Sequence, residues 1–163
     1  VWMFIEWIKF GKPSLVGIAT GAIAGLATIT PGSGFVGPVG GLIYGLLAGT
    51  ICFYMIDVIK SKFKIDDSLD VFAVHGVGGM LGIILTSFFA HESFGGLGLG
   101  ENVTIGTAFS AQLIATIVTV VWAALATYII ILVVRATVGL RVNEEDESEG
   151  LDLSSHGERG YDL

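Results

Sequence analysis

The chain has 163 residues, 53% of them hydrophobic and 14% charged, with a mean hydropathy of +0.80. Soluble domains carry about 25% charged residues, so an ordinary water-facing surface is excluded. The net charge of -7 describes a tail: eight acids (Glu144, Glu145, Asp146, Glu147, Glu149, Asp152, Glu158 and Asp162) face one base, Arg159, between Asn143 and Leu163, and the rest is balanced.

The opening residues, Val1 to Ile8, read as the last turns of a membrane span, and the chain is expected to be a fragment of a longer protein. No Asp, Glu, Lys or Arg occurs from Pro13 to Ile56, from Val71 to Ala90, or from Asn102 to Val134. About 20 apolar residues cross a bilayer as a helix. Four spans are therefore predicted, at about 14–30, 35–57, 71–90 and 105–134, giving an all-α polytopic helix bundle. The breaks carry turn chemistry: Thr30-Pro31-Gly32-Ser33-Gly34 after the first span, and the Gly-rich stretch Phe94 to Gly100 before the last. The fourth span exceeds a perpendicular crossing, which predicts tilt or extension beyond the bilayer.

The bases set the expected orientation. Lys9 and Lys12 precede the first span, Lys60, Lys62 and Lys64 separate the second from the third, and Arg135 and Arg141 follow the fourth. These segments alternate with two loops that hold no Lys or Arg. Bases near span ends stay on the cytoplasmic side, so the tail from Asn143 is expected in the cytoplasm.

Glycines recur every four residues, at Gly17, Gly21 and Gly25 in the first span and at Gly37, Gly41, Gly45 and Gly49 in the second. That period strips one helix face and predicts close helix packing for most of them. Cys52 is the sole cysteine, which excludes a disulfide framework and a thiolate metal site. Its expected role is packing.

The third span starts Asp66-Asp67-Ser68-Leu69-Asp70-Val71-Phe72-Ala73-Val74-His75-Gly76. Apart from Asp57 at a span end, His75 is the sole Asp, Glu, Lys, Arg or His within a complete span, and such groups in lipid are functional by default. At 1.5 Å per residue it lies roughly 7–10 Å inside the helix. An α-helical spacing gives it Val71, Phe72, Gly78 and Gly79 as face neighbours. The bland alternative is a buried neutral imidazole bonded to a neighbouring helix. No metal is expected, since His91 and His156 lie in loop and tail, and no partner base or nucleophile suggests an enzyme. Asp67 or Ser68 is expected to cap the helix, while Asp70 either orders backbone or helps hold a cationic permeant. In the tail, the leucines and Tyr161 between Gly150 and Tyr161 exceed what a solvated terminus needs, which points to a docking segment.

These residues resemble the Amt/Mep/Rh ammonium transporter family, the Amt branch in particular. The resemblance covers the whole chain: Gly11-Lys12-Pro13-Ser14-Leu15, Gly21-Ala22-Ile23-Ala24-Gly25-Leu26 with Thr30-Pro31, the Asp66 to Gly76 run, Val138-Gly139-Leu140-Arg141-Val142, Gly150-Leu151-Asp152, and Ser155-His156-Gly157-Glu158. It implies homotrimers of eleven-span protomers built from inverted five-helix repeats, of which the last four spans are present here. It also implies an ammonium or ammonia pore in which His75 matches the second of two histidines, Ile23 and Val71 match apolar lining positions, and Asp67 and Asp70 match acids at the cytoplasmic start of the histidine helix. Gly150, Leu151, Asp152, His156, Gly157 and Glu158 match a regulatory tail that meets a PII-type protein in many members. No cofactor, nucleic acid or catalysis is implied. The competing readings are an ammonium sensor or Rh-type gas channel of the same fold, and a structural membrane subunit or membrane enzyme in which His75 only packs.

Overall fold

The computed structural model describes residues 1–160, and they are helical throughout apart from turns and loops. The chain forms two compact units, Val1–Ile117 and one that begins at Val118. In the first, α1 (Trp2–Phe10) leads into α2 (Leu15–Ile29), a 3-10 turn (Thr30–Gly32) and α3 (Pro38–Asp57). Two π-helices follow, Val58–Lys62 and Phe72–Val77, and the second runs on into α4 (Gly78–Phe89). The 33-residue α5 (Ile105–Thr137) begins in the first unit, and α6 (Glu144–Glu149) and α7 (Leu151–Ser154) lie in the second.

Four helical stretches are long and apolar enough to cross a membrane: Leu15–Gly32, Pro38–Lys62, Phe72–Phe89 and Ile105–Thr137. In hydrocarbon every backbone group must be satisfied internally, which a helix does by itself. At 1.5 Å per residue α5 is about 50 Å long, well beyond the roughly 30 Å apolar thickness of a bilayer. None of its residues is buried.

The helix ends follow from local chemistry. Gly11, at φ +75°, closes α1 in the left-handed region, and its N–H donates to the Trp7 carbonyl, as a helix C-terminus needs. Ser14 caps α2: its Oγ accepts from the Gly17 N–H at 2.8 Å. Glu6 reaches the same end from α1 and accepts from the Ser14 N–H at 2.6 Å and from the Ser14 hydroxyl at 3.1 Å. A carboxylate is favoured there by the positive end of the α2 dipole. Pro38, at the first position of α3, gives up an N–H that has no intrahelical partner anyway.

Small residues set the packing. Ala24, Ala48, Cys52 and Val74 form the core with Trp2, and α2, α3 and the Phe72–Val77 segment meet there. Cys52 is buried and free, as a packing residue. The glycine stripes divide into two main kinds, apart from Gly37, whose added methyl would strike the Gly95 carbonyl. A methyl at Gly17 would strike the Glu6 carboxylate, one at Gly21 would strike Trp2, and one at Gly49 would strike Val1, so these three seat α1. Gly25, Gly41 and Gly45 face open space and line a groove of about 520 Å³ between α2 and α3.

The closest backbone approach joins α4 to the end of α2, where a Cβ on Gly82 would collide with the Thr28 carbonyl oxygen. Beside it the fully buried Tyr44 hydroxyl donates to the Gly82 carbonyl at 3.2 Å and lies 3.0 Å from Thr86 Oγ1. Two substitutions separate these effects. Tyr44→Phe removes the hydroxyl that bonds Gly82 and Thr86, and in the full-length protein it is expected to cost about 0.6 kcal/mol per bond, the average for such bonds in a bilayer. Gly82→Ala forces two backbones apart and should lower the thermal unfolding midpoint in detergent further than Tyr44→Phe. Equal midpoints for the two variants would contradict this packing.

Candidate functional site

The Asp67–Val77 stretch has an unusual helix start. Asp67 alone supplies the cap: its Oδ1 accepts from the Val71 N–H at 2.8 Å, and its Oδ2 accepts from the Phe72 N–H at 2.9 Å and the Ala73 N–H at 3.4 Å. Ser68 takes no part in these bonds. One carboxylate thereby satisfies backbone donors that the first helical turn leaves without partners.

Asp70 has φ +57°, in the left-handed region, where Asp is more tolerated than most residues. Its carbonyl accepts from the Val74 N–H at 2.8 Å. Its carboxylate Oδ1 lies 2.6 Å from Lys60 Nζ, an ion pair by distance that lacks hydrogen-bond geometry, between the two π-helical regions. Of the two roles expected for Asp70, the geometry favours ordering local structure, because its charge is already opposed by an ammonium. Asp70 and Lys60 also border a cavity of about 520 Å³ with Glu6, Ser14, Asp57 and Ser61.

His75 lies within the π-helix Phe72–Val77. This changes the expected neighbours. A π-helix bonds i to i+5 rather than i to i+4, so α-helical spacing does not assign faces here. Gly78, expected beside His75, is buried; a methyl on it would meet Thr28 Oγ1 at 2.8 Å and Cys52 Sγ at 3.4 Å. Gly79 faces open space, and the Phe72 ring covers Gly76.

His75, Val71 and Ile23 are all exposed within the chain, Val71 by 52% and Ile23 by 45%. Their sequence neighbours Val74 and Ala24 are in the buried core. The three expected lining residues thus flank that core on elements that pack together, α2 and the Phe72–Val77 helix. His75 is exposed within this chain, and its imidazole makes no hydrogen bond to another of the described residues. No cluster of potential metal ligands occurs among the described residues.

The tail residues are placed in the second unit. Asn143 caps α6, its Oδ1 accepting from the Asp146 N–H at 2.8 Å, and four acids in the first turn of α6 favour the positive helix end. Arg141 Nη2 donates to both carboxylate oxygens of Glu147 at 2.6 and 2.9 Å. Gly150, at φ +99°, turns the chain from α6 into α7, which contains Leu151 and Asp152. The Gly157 N–H donates to the Leu153 carbonyl and the Glu158 N–H to that of Asp152. These local bonds give the segment expected to dock a folded start. His156 is exposed, and Tyr161, assigned to a docking segment from the sequence, lies outside the described residues.

The sequence model of the Ammonium Transporter Family matches residues 1–161. The chain belongs to the ammonium transporter family. It is 44% identical to an ammonium transporter of Aquifex aeolicus, over 99% of this chain and 38% of that protein. It is 45% identical to ammonium transporter Amt1 of Archaeoglobus fulgidus, over 99% of this chain and 40% of that protein. Among solved structures it is similar to a sensor Amt protein, with 29% identity, a TM-score of 0.82, and coverage of 93% of this chain and 37% of that one. It is also similar to Mep2 of Saccharomyces cerevisiae, with 31% identity, a TM-score of 0.71, and coverage of 88% and 34%. The chain therefore spans about two fifths of the length of the curated relatives it matches.

For this member of the ammonium transporter family, sequence reasoning missed Lys60, which it counted only as an orienting base. A Lys ten residues before an Asp is not a helix-face spacing, so no periodic signal marks the pair. The cap was legible in Asp66-Asp67 before an apolar run, although its threefold geometry was not. Asp67→Ala in the full-length protein is expected to cost about 1–2 kcal/mol, the upper range for a lost cap, and to speed hydrogen exchange at Val71, Phe72 and Ala73. Unchanged exchange there would remove the cap from this account.

Proposed function

We propose that the complete protein carries ammonium nitrogen across a membrane, and that this chain supplies one wall of the conducting path, with His75, Val71 and Ile23 on it. The observation that carries this reading is the position of His75. It is a lone ionisable side chain inside an apolar span, on the exposed side of a helix whose other face is core. The similar proteins of Aquifex aeolicus and Archaeoglobus fulgidus, which are named ammonium transporters, support it.

The chemistry follows from solvation. An ammonium ion is rejected by apolar walls because a charge loses far more on leaving water than a hydrogen-bonded neutral group does. A neutral amine needs only a partner along the way. A neutral imidazole can accept at one nitrogen and donate from the other, so His75 suits that partner role, and Ile23 and Val71 suit walls that offer a cation no solvation. In this reading ammonium gives up its proton before the apolar stretch, near a histidine pair whose other member lies on another part of the protein. The proton is either relayed through the imidazoles or left behind.

The same reading assigns the bases at Lys9, Lys12, Lys60, Lys62, Lys64, Arg135 and Arg141 to the cytoplasmic side, with the tail. It takes the assembly as a homotrimer in the lipid bilayer. Gly150, Leu151, Asp152, His156, Gly157 and Glu158 then form a regulatory segment available to a PII-type nitrogen-regulatory protein. A second reading, an ammonium sensor, is favoured by one observation, the sensor Amt protein among the similar solved structures.

Uptake of labelled methylammonium by the full-length protein in cells lacking other carriers separates these readings. Transport predicts saturable uptake, and His75→Ala is expected to reduce the rate by about tenfold or more, roughly 1.4 kcal/mol on the barrier. Binding of ammonium without uptake would favour the sensor. Normal uptake by His75→Ala would remove the imidazole from the path.

A further inference from the structure

We infer that Lys60 is a positioning residue for the histidine helix, acting through its ion pair with Asp70 to fix the start of the π-helix that contains His75. The inference rests on the pore reading for its functional consequence but on independent geometry for its structural one.

Lys60 lies in the π-helix Val58–Lys62, and Ile59 beside it is fully buried. The Phe63 N–H donates to the Val58 carbonyl, a spacing of five, and the Ile65 N–H donates to that of Ile59. A one-turn π-segment inserts a residue and rotates the chain that follows it. Here it closes the cytoplasmic-side end of the second span while its neighbour Ile59 remains anchored in the protein. Lys60 therefore stands on a fixed base, and its ammonium reaches Asp70 Oδ1 at 2.6 Å.

Asp70 is where a push is effective. Its backbone is left-handed at φ +57°, a conformation that a non-glycine residue keeps only when its surroundings impose it. Two kinds of contact impose it here. The Asp70 N–H donates to the Asp67 carbonyl at 3.1 Å, while the side chain is held by Lys60. From Asp70 the chain goes directly into the helix, with its carbonyl receiving the Val74 N–H one residue before His75. A shift at Asp70 has no flexible spacer in which to dissipate before it reaches the imidazole.

Each carboxylate thus has a separate task. Asp67 satisfies the free N–H groups of Val71, Phe72 and Ala73, and Asp70, oriented by Lys60, sets the angle at which that helix starts. The pair is partly exposed, with side-chain accessibilities of 37% for Lys60 and 22% for Asp70, so its value lies in geometry more than in stability.

The experiment uses the full-length protein, with uptake normalised to folded protein in the membrane. Lys60→Met is expected to lower the maximal methylammonium uptake rate by about tenfold, as misplacing a group near a reacting or conducting centre does, with little change in the half-saturating concentration. It should also speed hydrogen exchange at Val71 to Val74 and leave α2 and α3 unchanged. Lys60→Arg, which keeps the charge, should restore both readouts to near the parent values. Lys60→Gln provides a smaller change should Lys60→Met fail to fold, with the same direction expected in both readouts. Unaltered uptake and exchange in Lys60→Met or Lys60→Gln would overturn the inference, as would a loss that Lys60→Arg does not repair. His75→Ala is measured alongside: normal uptake in that variant defeats the pore reading, while the exchange measurements still decide the role of Lys60.

Discussion

Inside hydrocarbon a backbone has no water to turn to, and this constraint governs how an ionisable side chain can be carried into a membrane. Any departure from regular helical bonding must be compensated on the spot. The segment from Val58 to Val77 departs twice, in two π-helices separated by a loop with left-handed residues at Lys64 and Asp70. Its compensation is local and ionic. Asp67 takes three backbone donors on one carboxylate, and Lys60 opposes Asp70. The histidine follows within a turn of these supports.

Packing around this segment depends on the absence of side chains. Gly78 lies against Thr28 and Cys52, Gly82 against the Thr28 carbonyl, and Ala24 and Ala48 are fully buried. Water-driven burial contributes little between helices in lipid, so close backbone approach, dispersion and interhelical hydrogen bonds must supply the attraction. The Tyr44, Gly82 and Thr86 contacts are of the last kind.

Much of the fold was legible because charge and apolarity are so unevenly distributed. The three uncharged stretches and the Thr30 to Gly34 turn mark the spans without reference to any relative. The glycine stripes were legible as packing surfaces, yet their partners were not. Gly17, Gly21 and Gly49 contact α1, whereas Gly25, Gly41 and Gly45 face a groove, and a four-residue period cannot tell these apart. The neighbours of His75 were misassigned at Gly78 for a definite reason. A π-segment leaves no periodic trace over six residues, and once one residue is inserted every face calculated from a 3.6-residue turn rotates. Lys60 escaped notice because its partner lies across a loop, where distance along the chain carries no geometric meaning. In the tail, composition pointed to a docking segment without showing how it folds; Asn143 and Gly150 carry the turn chemistry, and Arg141 pairs with Glu147.

The pairing of Asp70 bears on where selectivity resides. An unopposed carboxylate at the mouth of a narrow path would attract any monovalent cation, and potassium is of similar size to ammonium and far from rare. With Lys60 Nζ at 2.6 Å, the field of Asp70 is largely cancelled a few ångströms away, so this end of the helix offers a cation little reason to dwell. In the proposed pore, discrimination falls to what potassium cannot do, which is to surrender a proton and continue as a neutral molecule. The proposed walls need no charge: Ile23 and Val71 offer apolar surface, and His75 offers one hydrogen-bonding group that a neutral amine can use. In that proposal the acids at the helix start serve the architecture, and the imidazole serves the permeant.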